Sequence, residues 1–239
     1  MKNDLFSIGP FTVHGYGLMI AIGVLSAYYM VEYRAKKKQM DWEKVFPLTV
    51  WSVLGGFLGS KILYLLTRLP DILANPALLG SSIKNGFVVY GGIIGGILTA
   101  WIYCKCTKWN FWKIFDIAMP AVAMAQGFGR IGCLLAGCCY GRELDPANPI
   151  GIVFHNSAYA PNDVALLPTQ IISSVLDFAN CFVLLALSKK LKTDGQVASC
   201  YLIFYSIGRF VLEYFRGDLI RGNVGEFSTS QFISLFICL

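Results

Sequence analysis

Charge is scarce in this sequence, and histidine is almost absent. Asp, Glu, Lys and Arg make up 14% of the 239 residues, whereas hydrophobic residues make up 56%. A soluble globular domain carries about 25% charged residues, so the composition excludes that class and predicts an integral membrane protein. The only two histidines, His14 and His155, are too few for a usual imidazole-based metal site, and we expect no metal.

Three further features of the sequence limit the possible classes of function and structure. No basic stripe is interleaved with aromatic residues, so the net charge of +6 does not indicate a nucleic-acid partner. The N-terminal segment lacks the basic region, apolar core and cleavage site of a cleaved signal peptide, which leaves insertion to the first apolar helix. Most of the eight cysteines lie inside apolar segments, which argues against a disulfide framework.

Apolar windows of about 20 residues, the length that crosses a bilayer, recur along the chain. They predict an all-α protein with seven transmembrane helices, at 14–33, 45–66, 87–103, 111–135, 168–187, 197–215 and 227–239. The last window is short for a full crossing, so we expect the natural chain to continue. Pro120 is expected to kink the fourth helix, and the glycines after it to make its far end irregular.

The organisation is that of a single membrane domain over residues 1–239. Two polar insertions interrupt the apolar pattern: an extracytoplasmic loop at 70–86, and a region at 142–167 that is long enough for a small extracytoplasmic cap of short strands or turns. Neither is long enough for an independent domain.

Lysine and arginine lie on opposite sides of the predicted membrane. The loops after the first, third and fifth helices, with their flanks, carry ten of the thirteen lysines and one arginine, Arg34. By the positive-inside rule this side is cytoplasmic, which puts the N-terminus outside. The outer side carries the other arginines, at 68, 130, 142, 209, 216 and 221. Because a guanidinium grips phosphate with two parallel donors, this distribution predicts a site for an anionic lipid headgroup.

Four polar segments reach one level on the outer side: 14–17, 90–92, 130–142 and 209–216. Ionisable residues inside a membrane are costly and usually functional, although a single terminal arginine also extends towards headgroups without any such role. Arg209 and Glu213, four residues apart on one helix, are expected to pair. That pair either only neutralises the arginine or also aims it at a phosphate.

The densest glycine run in the chain surrounds Arg130, at positions 127, 129, 132, 137 and 141. Small residues at such spacings allow close helix packing. They also let a phosphate or an acyl chain approach backbone N–H groups. Both interpretations remain open at this stage.

Six motifs in order resemble the bacterial prolipoprotein diacylglyceryl transferase family. They are Tyr16-Gly-Leu, Gly91-Gly92-Ile-Ile-Gly, Gly129-Arg130-Ile-Gly132, Pro168-Thr-Gln170, Arg209-Phe-Val-Leu-Glu213-Tyr-Phe-Arg216 and Ser230-Gln231. The resemblance implies a seven-helix enzyme of the bacterial inner membrane with its active site towards the extracytoplasmic side. It implies transfer of the diacylglyceryl group of phosphatidylglycerol to the lipobox cysteine thiol in the signal peptide of a prolipoprotein, without a cofactor.

The same resemblance implies roles for individual residues. Arg130 and Arg209 would hold the lipid phosphate, Glu213 would orient Arg209, and Gly141 would leave room for substrate. The implied catalytic residues are Tyr16, Tyr90, Arg130, Arg209 and Glu213. The implied substrate contacts are Arg130, Arg209, Gly91, Gly92, Gly132, Cys133, Gly141, Arg142 and Arg216.

Three positions depart from the family pattern. The family usually has histidine at Tyr90, asparagine at Cys133 and an acidic residue at Cys138. A tyrosine, with a reference pKa of about 10, is a poorer base than histidine at neutral pH. One alternative is therefore a paralogue that passes the lipid-derived group to a different acceptor.

Two alternatives come from other functional classes. A lipid transporter or flippase needs a polar path through both leaflets, whereas the intramembrane charges here cluster at one level. A thiol oxidoreductase needs a well-spaced cysteine pair, and the outer cysteines 133, 138 and 139 are poorly spaced for one. These thiols are interpreted as apolar packing, as a structural or redox pair, or as a covalent or metal site, although the paired Cys-x2-Cys spacing of zinc sites is missing.

Overall fold

The computed structural model describes residues 4–8, 11–84, 86–218, 223–224 and 227–238. Within them the chain is mainly helical: α1 Gly15–Lys37, α2 Val45–Thr67, α3 Leu69–Ala74, α4 Leu78–Lys84, α5 Val89–Cys106, α6 Phe111–Ala136, α7 Thr169–Leu187, α8 Gln196–Glu213 and α9 Thr229–Cys238. The strands form separate antiparallel pairs: β1 Asp4–Ile8 with β2 Phe11–His14, β3 Ile152–Val153 with β4 Ala165–Leu166, and β5 Asn223–Val224 with β6 Phe227–Ser228. The described part contains no closed sheet, which agrees with the predicted all-α class.

Five helical segments are long and apolar enough to cross a membrane: α1, α2 with the short 3-10 turn at Trp42–Lys44, α5, α6 and α7. Their large apolar side chains face outward, as Phe57 (58% exposed) and Phe182 (70% exposed) illustrate. A surface of this kind is matched to hydrocarbon rather than to water. The prediction of an integral membrane protein is confirmed. Among the described helices, α8 is too polar and α9 too short to meet the same criteria, so the count of seven crossings stays a prediction.

The chain divides into two compact units, Glu32–Ile114 and the combination of Met1–Val31 with Phe115–Leu239. In the first of these, α2 and α5 pack through glycines. A Cβ on Gly59 would lie 2.4 Å from the carbonyl oxygen of Gly91, and a Cβ on Gly95 would lie 2.3 Å from that of Gly55. This is the close backbone approach that small residues allow between membrane helices.

Between α2 and α5 the structure contains the short helices α3 and α4, where the sequence analysis predicted a loop at 70–86. Pro70 lies in the first turn of α3, where a backbone N–H has no acceptor within the helix, so proline costs no hydrogen bond there. The Lys61 ammonium donates to the carbonyl oxygens of Gly86 (3.0 Å) and Ser82 (3.3 Å). The polar composition of this segment therefore reflects helices that are too short to span, rather than irregular chain.

In the other unit α6 runs without interruption past Pro120 to Ala136. The expectation of an irregular far end is wrong as far as Ala136, because Gly127 and Gly132 pack against side chains of neighbouring helices. A Cβ at Gly127 would lie 2.8 Å from the ring of Phe178, so neighbouring helices support the glycine-rich turns. The helix ends at Gly137, whose φ of +74° is left-handed and suits glycine at a helix C-terminus.

The start of α8 is fixed to α6 by a buried carboxylate. Asp116, 5% exposed, accepts hydrogen bonds from the backbone N–H groups of Gly195 (2.8 Å) and Ala198 (2.8 Å). It thereby satisfies donors that a helix N-terminus leaves free. Next to it lies an apolar core shared by α6, α7 and α8: Met119, Ala123, Cys181, Leu184, Val197, Ala198 and Tyr201.

Candidate active site

Arg130 on α6 and Arg209 on α8 line the same pocket, although 79 positions separate them in sequence. The other polar groups of its wall are Ser173, Asp177 and Asn180 from α7 and Tyr205 from α8. Gly208 also lines it, and nothing lies within 4 Å of the place where its Cβ would be, so backbone is open to a ligand there. The structure thus brings together the two arginines that the sequence analysis assigned to a phosphate.

Arg209 is held by two partners. Its guanidinium lies 2.7 Å from a carboxylate oxygen of Glu213, and it donates to the hydroxyl of Ser230 on α9 at 3.0 Å. The side chains of Arg209 and Glu213 are 12% and 9% exposed. The expected ion pair between them is confirmed. Because both charges are buried, the pair fixes the direction of the guanidinium, which a solvent-exposed ion pair would not do.

Arg130 faces a carboxylate that the sequence analysis missed. The Nε of Arg130 lies 3.9 Å from Oδ2 of Asp177, whose side chain is 10% exposed. Asp177 is the only charged residue of α7. A lone acid in a predicted span is itself a signal of function, so the rule for intramembrane charges was sufficient to find it. The 3.9 Å separation is longer than a hydrogen bond and leaves the guanidinium donors of Arg130 available to a ligand.

Tyr16 lies near Arg130 because two helices meet at a glycine. A Cβ on Gly132 would be 3.2 Å from Cδ2 of Tyr16 and 3.3 Å from Cβ of Met19, so α1 rests on α6 at this point. Tyr16 remains 41% exposed. Gly132 therefore has a packing role that also positions Tyr16, while nothing lies within 4 Å of the corresponding point at Gly129.

Gly141, Arg142 and Arg216 form the edge where the cap joins the end of α8. The N–H of Arg142 donates to the carbonyl of Phe215 at 2.9 Å, and the Arg142 guanidinium lies 5.5 Å from the Phe215 ring. Arg216 makes a two-point pair with Asp218, at 2.8 and 2.6 Å. A Cβ on Gly141 would lie 2.5 Å from the carbonyl oxygen of Leu167. Backbone packing alone thus requires this glycine, and its role in admitting substrate stays a prediction.

The three outer cysteines converge at the C-terminal end of α6. Their sulfur atoms all lie within 4.8 Å of one another, and no disulfide joins Cys133, Cys138 and Cys139 to one another in the described part of the chain. Hydrogen bonds with the Cys133 and Cys138 thiols, together with the charge of nearby Arg216, lower the pKa of the Cys139 thiol. Hydrogen bonds with the Cys133 and Cys139 thiols, together with burial, raise the pKa of the Cys138 thiol. One sulfur of the cluster is thus set to lose its proton first.

The family model for prolipoprotein diacylglyceryl transferases matches residues 3–239. The chain belongs to the prolipoprotein diacylglyceryl transferase family. It is 47% identical over 236 residues to a phosphatidylglycerol–prolipoprotein diacylglyceryl transferase of Clostridium tetani, covering 99% of this chain and 93% of the relative. It is 45% identical to the enzyme named transferase 2 of Clostridium perfringens, over 100% of this chain and 92% of that one. A Staphylococcus carnosus transferase is 30% identical over 98% and 86% of the two chains.

Tyr90, Gly91 and Gly92, which the family resemblance also implicates, lie at the start of α5 in the unit Glu32–Ile114. Tyr90 is 38% exposed. Gly91 is buried against Gly59, and a Cβ on Gly92 would lie 3.3 Å from the hydroxyl of Ser60, so helix packing accounts for both glycines. Their contact with substrate stays a prediction. Arg221, which the sequence analysis placed on the outer side, lies outside the described residues.

Proposed function

We propose that this protein transfers the diacylglyceryl group of phosphatidylglycerol to the lipobox cysteine thiol of prolipoproteins. Relatives that share 45–47% of their residues with nearly the whole chain are phosphatidylglycerol–prolipoprotein diacylglyceryl transferases. The observation that carries the proposal is the convergence of Arg130 and Arg209 on one pocket within a very apolar fold. A phosphodiester headgroup on a diacylglycerol tail is the anionic ligand that suits such a place.

The reaction depends on stabilising the negative charge of the leaving phosphate and does not require a covalent intermediate with the protein. The sulfur of the acceptor attacks a glyceryl carbon, a C–S bond forms, and the C–O bond to phosphate breaks. The thiol releases its proton to water, and glycerol phosphate leaves as a dianion with the electron pair of the broken bond. Guanidinium groups in a site shielded from water stabilise the charge that grows on the departing phosphate. Arg130 and Arg209 are assigned to this role.

Glu213 and Asp177 are assigned to holding these arginines before the lipid arrives. Glu213 fixes Arg209 at 2.7 Å, so this guanidinium does not have to be reoriented during the reaction, and Asp177 balances the charge of Arg130 from 3.9 Å. We assign Tyr16 to the headgroup, with Gly132 setting its position, and Arg142 and Arg216 to the entrance of the site. Tyr90, Gly91, Gly92, Cys133 and Gly141 are retained as proposed substrate contacts on the family resemblance.

For the topology we propose seven crossings of the bacterial inner membrane with the N-terminus outside and the pocket towards the extracytoplasmic side. The lysine distribution supports this orientation. α8 is less apolar than the other long helices, but its Arg209 is neutralised by Glu213 on the same helix. Pairing lowers the cost of both charges in hydrocarbon, which supports α8 as the sixth crossing. α9 begins the seventh.

The function is tested by replacing each pocket arginine in turn. Arg130→Ala and Arg209→Ala should each lower the transfer rate by at least about 100-fold, because each removes charged donors from the leaving phosphate. Transfer is measured with phosphatidylglycerol carrying a labelled diacylglyceryl group and a synthetic lipobox peptide. Arg68→Ala is the matched control, because Arg68 is 54% exposed, pairs with Asp71 and does not line the pocket.

Normal transfer in both pocket variants would contradict the assigned phosphate site. Expression of the chain in a strain depleted of its own transferase, followed by mass spectrometry of its lipoproteins, tests the reaction itself. Absence of the diacylglyceryl modification, despite a correctly inserted protein, would contradict transfer to lipobox cysteines and favour another acceptor.

A further inference from the structure

The backbone folds the cysteine cluster together at the end of α6. Gly137 (φ +74°) and Cys139 (φ +60°) are both left-handed, so the chain reverses and brings Cys138 and Cys139 back beside Cys133 on the last turns of the helix. A left-handed non-glycine residue is uncommon and costs free energy, which the surrounding structure has to supply. Gly137 is required, since a Cβ there would lie 2.3 Å from the hydroxyl of Ser157.

Hydrogen bonds from α7 hold the cluster in this conformation. The Thr169 hydroxyl donates to the carbonyl of Cys139 at 2.9 Å, and the side-chain amide of Gln170 donates to the carbonyl of Cys138 at 2.9 Å. Gln170 is 1% exposed, and its Oε1 is buried with no hydrogen-bond partner among the described residues. A buried acceptor without a donor is costly, and the amide group that carries it is the one bound to the Cys138 carbonyl.

The spacing of the three sulfurs is close to that of a metal-bound set. Zn–S bonds are about 2.3 Å long, so thiolates on one tetrahedral zinc lie about 3.8 Å apart. The sulfurs of Cys133, Cys138 and Cys139 lie within 4.8 Å of one another without any ion present. Rotation of the side chains by less than about 1 Å at sulfur therefore closes the set on one ion.

The charges around the cluster suit thiolates rather than neutral thiols. Arg216 lies within hydrogen-bond range of the Cys139 sulfur, and Arg130 is near enough to Cys133 and Cys139 to interact electrostatically. Three thiolates on a divalent ion carry a net charge of −1. The guanidinium groups of Arg130 and Arg216 lie beside that charge as well as beside Asp177 and Asp218, whereas an anionic complex with no cation near it would be costly at the edge of a membrane.

We propose that Cys133, Cys138 and Cys139 form a binding site for a single thiophilic ion, Zn²⁺, with the fourth coordination position open to a water molecule. Binding converts three thiols to thiolates, forms three Zn–S bonds and releases three protons, with no change of oxidation state. No bond-making or bond-breaking step of the transferase reaction is assigned to the ion. Its effect is to fasten the end of α6 to the chain that follows it, close to Arg130 and Arg216.

The sequence alone did not favour this site. The expectation of no metal came from the two histidines, and the spacing Cys-x4-Cys-Cys, which lacks the paired Cys-x2-Cys of zinc sites, left a metal site as only one of several interpretations of these thiols. What the spacing does not encode is the reversal at Gly137 and Cys139. Because adjacent residues in a regular helix or strand point in different directions, two neighbouring cysteines reach one ion only when the backbone between them is irregular.

Metal content and thiol protection test the proposal on the full-length protein purified in detergent. After Zn²⁺ loading and desalting, the wild type should keep about one zinc per chain, and Cys138→Ser and Cys139→Ser should lose it. Maleimide labelling with peptide mass spectrometry should show the three thiols protected by zinc and released by a chelator. Cys106 is the internal control, because it is exposed, lies on α5 and is outside the cluster.

Cys106→Ser is the matched variant and should keep the zinc of the wild type. The proposal is overturned if the wild type holds no zinc after loading, if zinc does not protect the three thiols, or if the serine variants retain as much metal as the wild type. It is also overturned if the protein purified from cells carries a disulfide within the cluster. Such a disulfide lowers the measured mass by two hydrogens, and neither zinc nor a chelator changes that mass. The wild-type labelling decides the question even if a serine variant fails to fold.

Discussion

Glu213 and Asp177 each place a negative charge beside a different arginine of the pocket. In the absence of lipid these acids balance the arginines, so the site is stable in an apolar surrounding without a bound anion. A site built from arginines alone would bind phosphate more tightly but would be costly to fold.

We expect Glu213→Gln to destabilise the protein and to impair transfer. The change leaves Arg209 buried without its charge partner, which should lower the free energy of unfolding by about 3 kcal/mol. Thermal unfolding in detergent measures the first effect and the labelled-lipid assay the second. Glu143→Gln is the control, since Glu143 is an exposed residue of the cap. Equal melting temperatures for the two variants would show that the pair does not stabilise the fold.

We expect Asp177→Asn to act on product release. Glycerol phosphate carries one more negative charge than the phosphodiester from which it forms, so Asp177, whose carboxylate lies 3.9 Å from Arg130, should repel it more strongly when that arginine holds it. Removing that charge should strengthen inhibition by added glycerol phosphate by roughly fivefold, equivalent to about 1 kcal/mol. Inhibition constants from the transfer assay measure this. An unchanged or weaker inhibition would mean that Asp177 does not face the phosphate.

At the scale of elements, the glycines of α6 have different structural roles. Gly127 and Gly132 admit Phe178 and Tyr16 against the helix, whereas Gly129 has open space at its Cβ position. Glycine in a helix interior lowers helix stability. A glycine that packing does not require is therefore explained only if a ligand contacts the backbone that it leaves accessible.

The contrast between Gly132→Ala and Gly129→Ala tests this interpretation. At Gly132 the new methyl group lies 3.2 Å from the Tyr16 ring, so Tyr16 must shift, and we expect transfer to fall about tenfold because small misplacements at a site are costly. At Gly129 we expect a gain of up to about 1 kcal/mol in stability from helix propensity. Both are measured by melting and transfer. A loss of transfer at Gly129 with normal stability would instead assign its backbone to the lipid.

The sequence predicted contacts between residues close together in the chain better than contacts between distant ones. Arg209 and Glu213 pair across one helical turn, and their spacing alone predicted the contact. The convergence of Arg130 with Arg209 needed the packing of α6, α7 and α8, and the family motifs supplied that expectation. The cysteine cluster depends on left-handed backbone at Gly137 and Cys139, which residue spacing does not reveal. The hairpin of β1 and β2 was also missed, because its strands lie in a segment too short for a clear alternating pattern.

At the scale of the whole molecule, the orientation in the membrane is open to a direct test. If the N-terminus is outside, Cys106 at the end of α5 faces the cytoplasm, and Tyr159 in the cap faces outward. A membrane-impermeant maleimide applied to spheroplasts should label a Tyr159→Cys variant strongly and leave Cys106 unlabelled until the membrane is opened. Labelling of Cys106 in intact spheroplasts would reverse the proposed topology.

The carboxylate of Asp116 has an effect far from its own position. It ties the first turn of α8 to α6, and both helices run from that point towards the pocket. Arg130 lies 14 residues beyond Asp116, about 21 Å along α6, and Arg209 lies 11 residues beyond Ala198, about 17 Å along α8. Because the helices are stiff, sliding one against the other would carry its arginine away from the other. Two hydrogen bonds at one end of the helices therefore fix the separation of the two arginines of the proposed phosphate site at the other end.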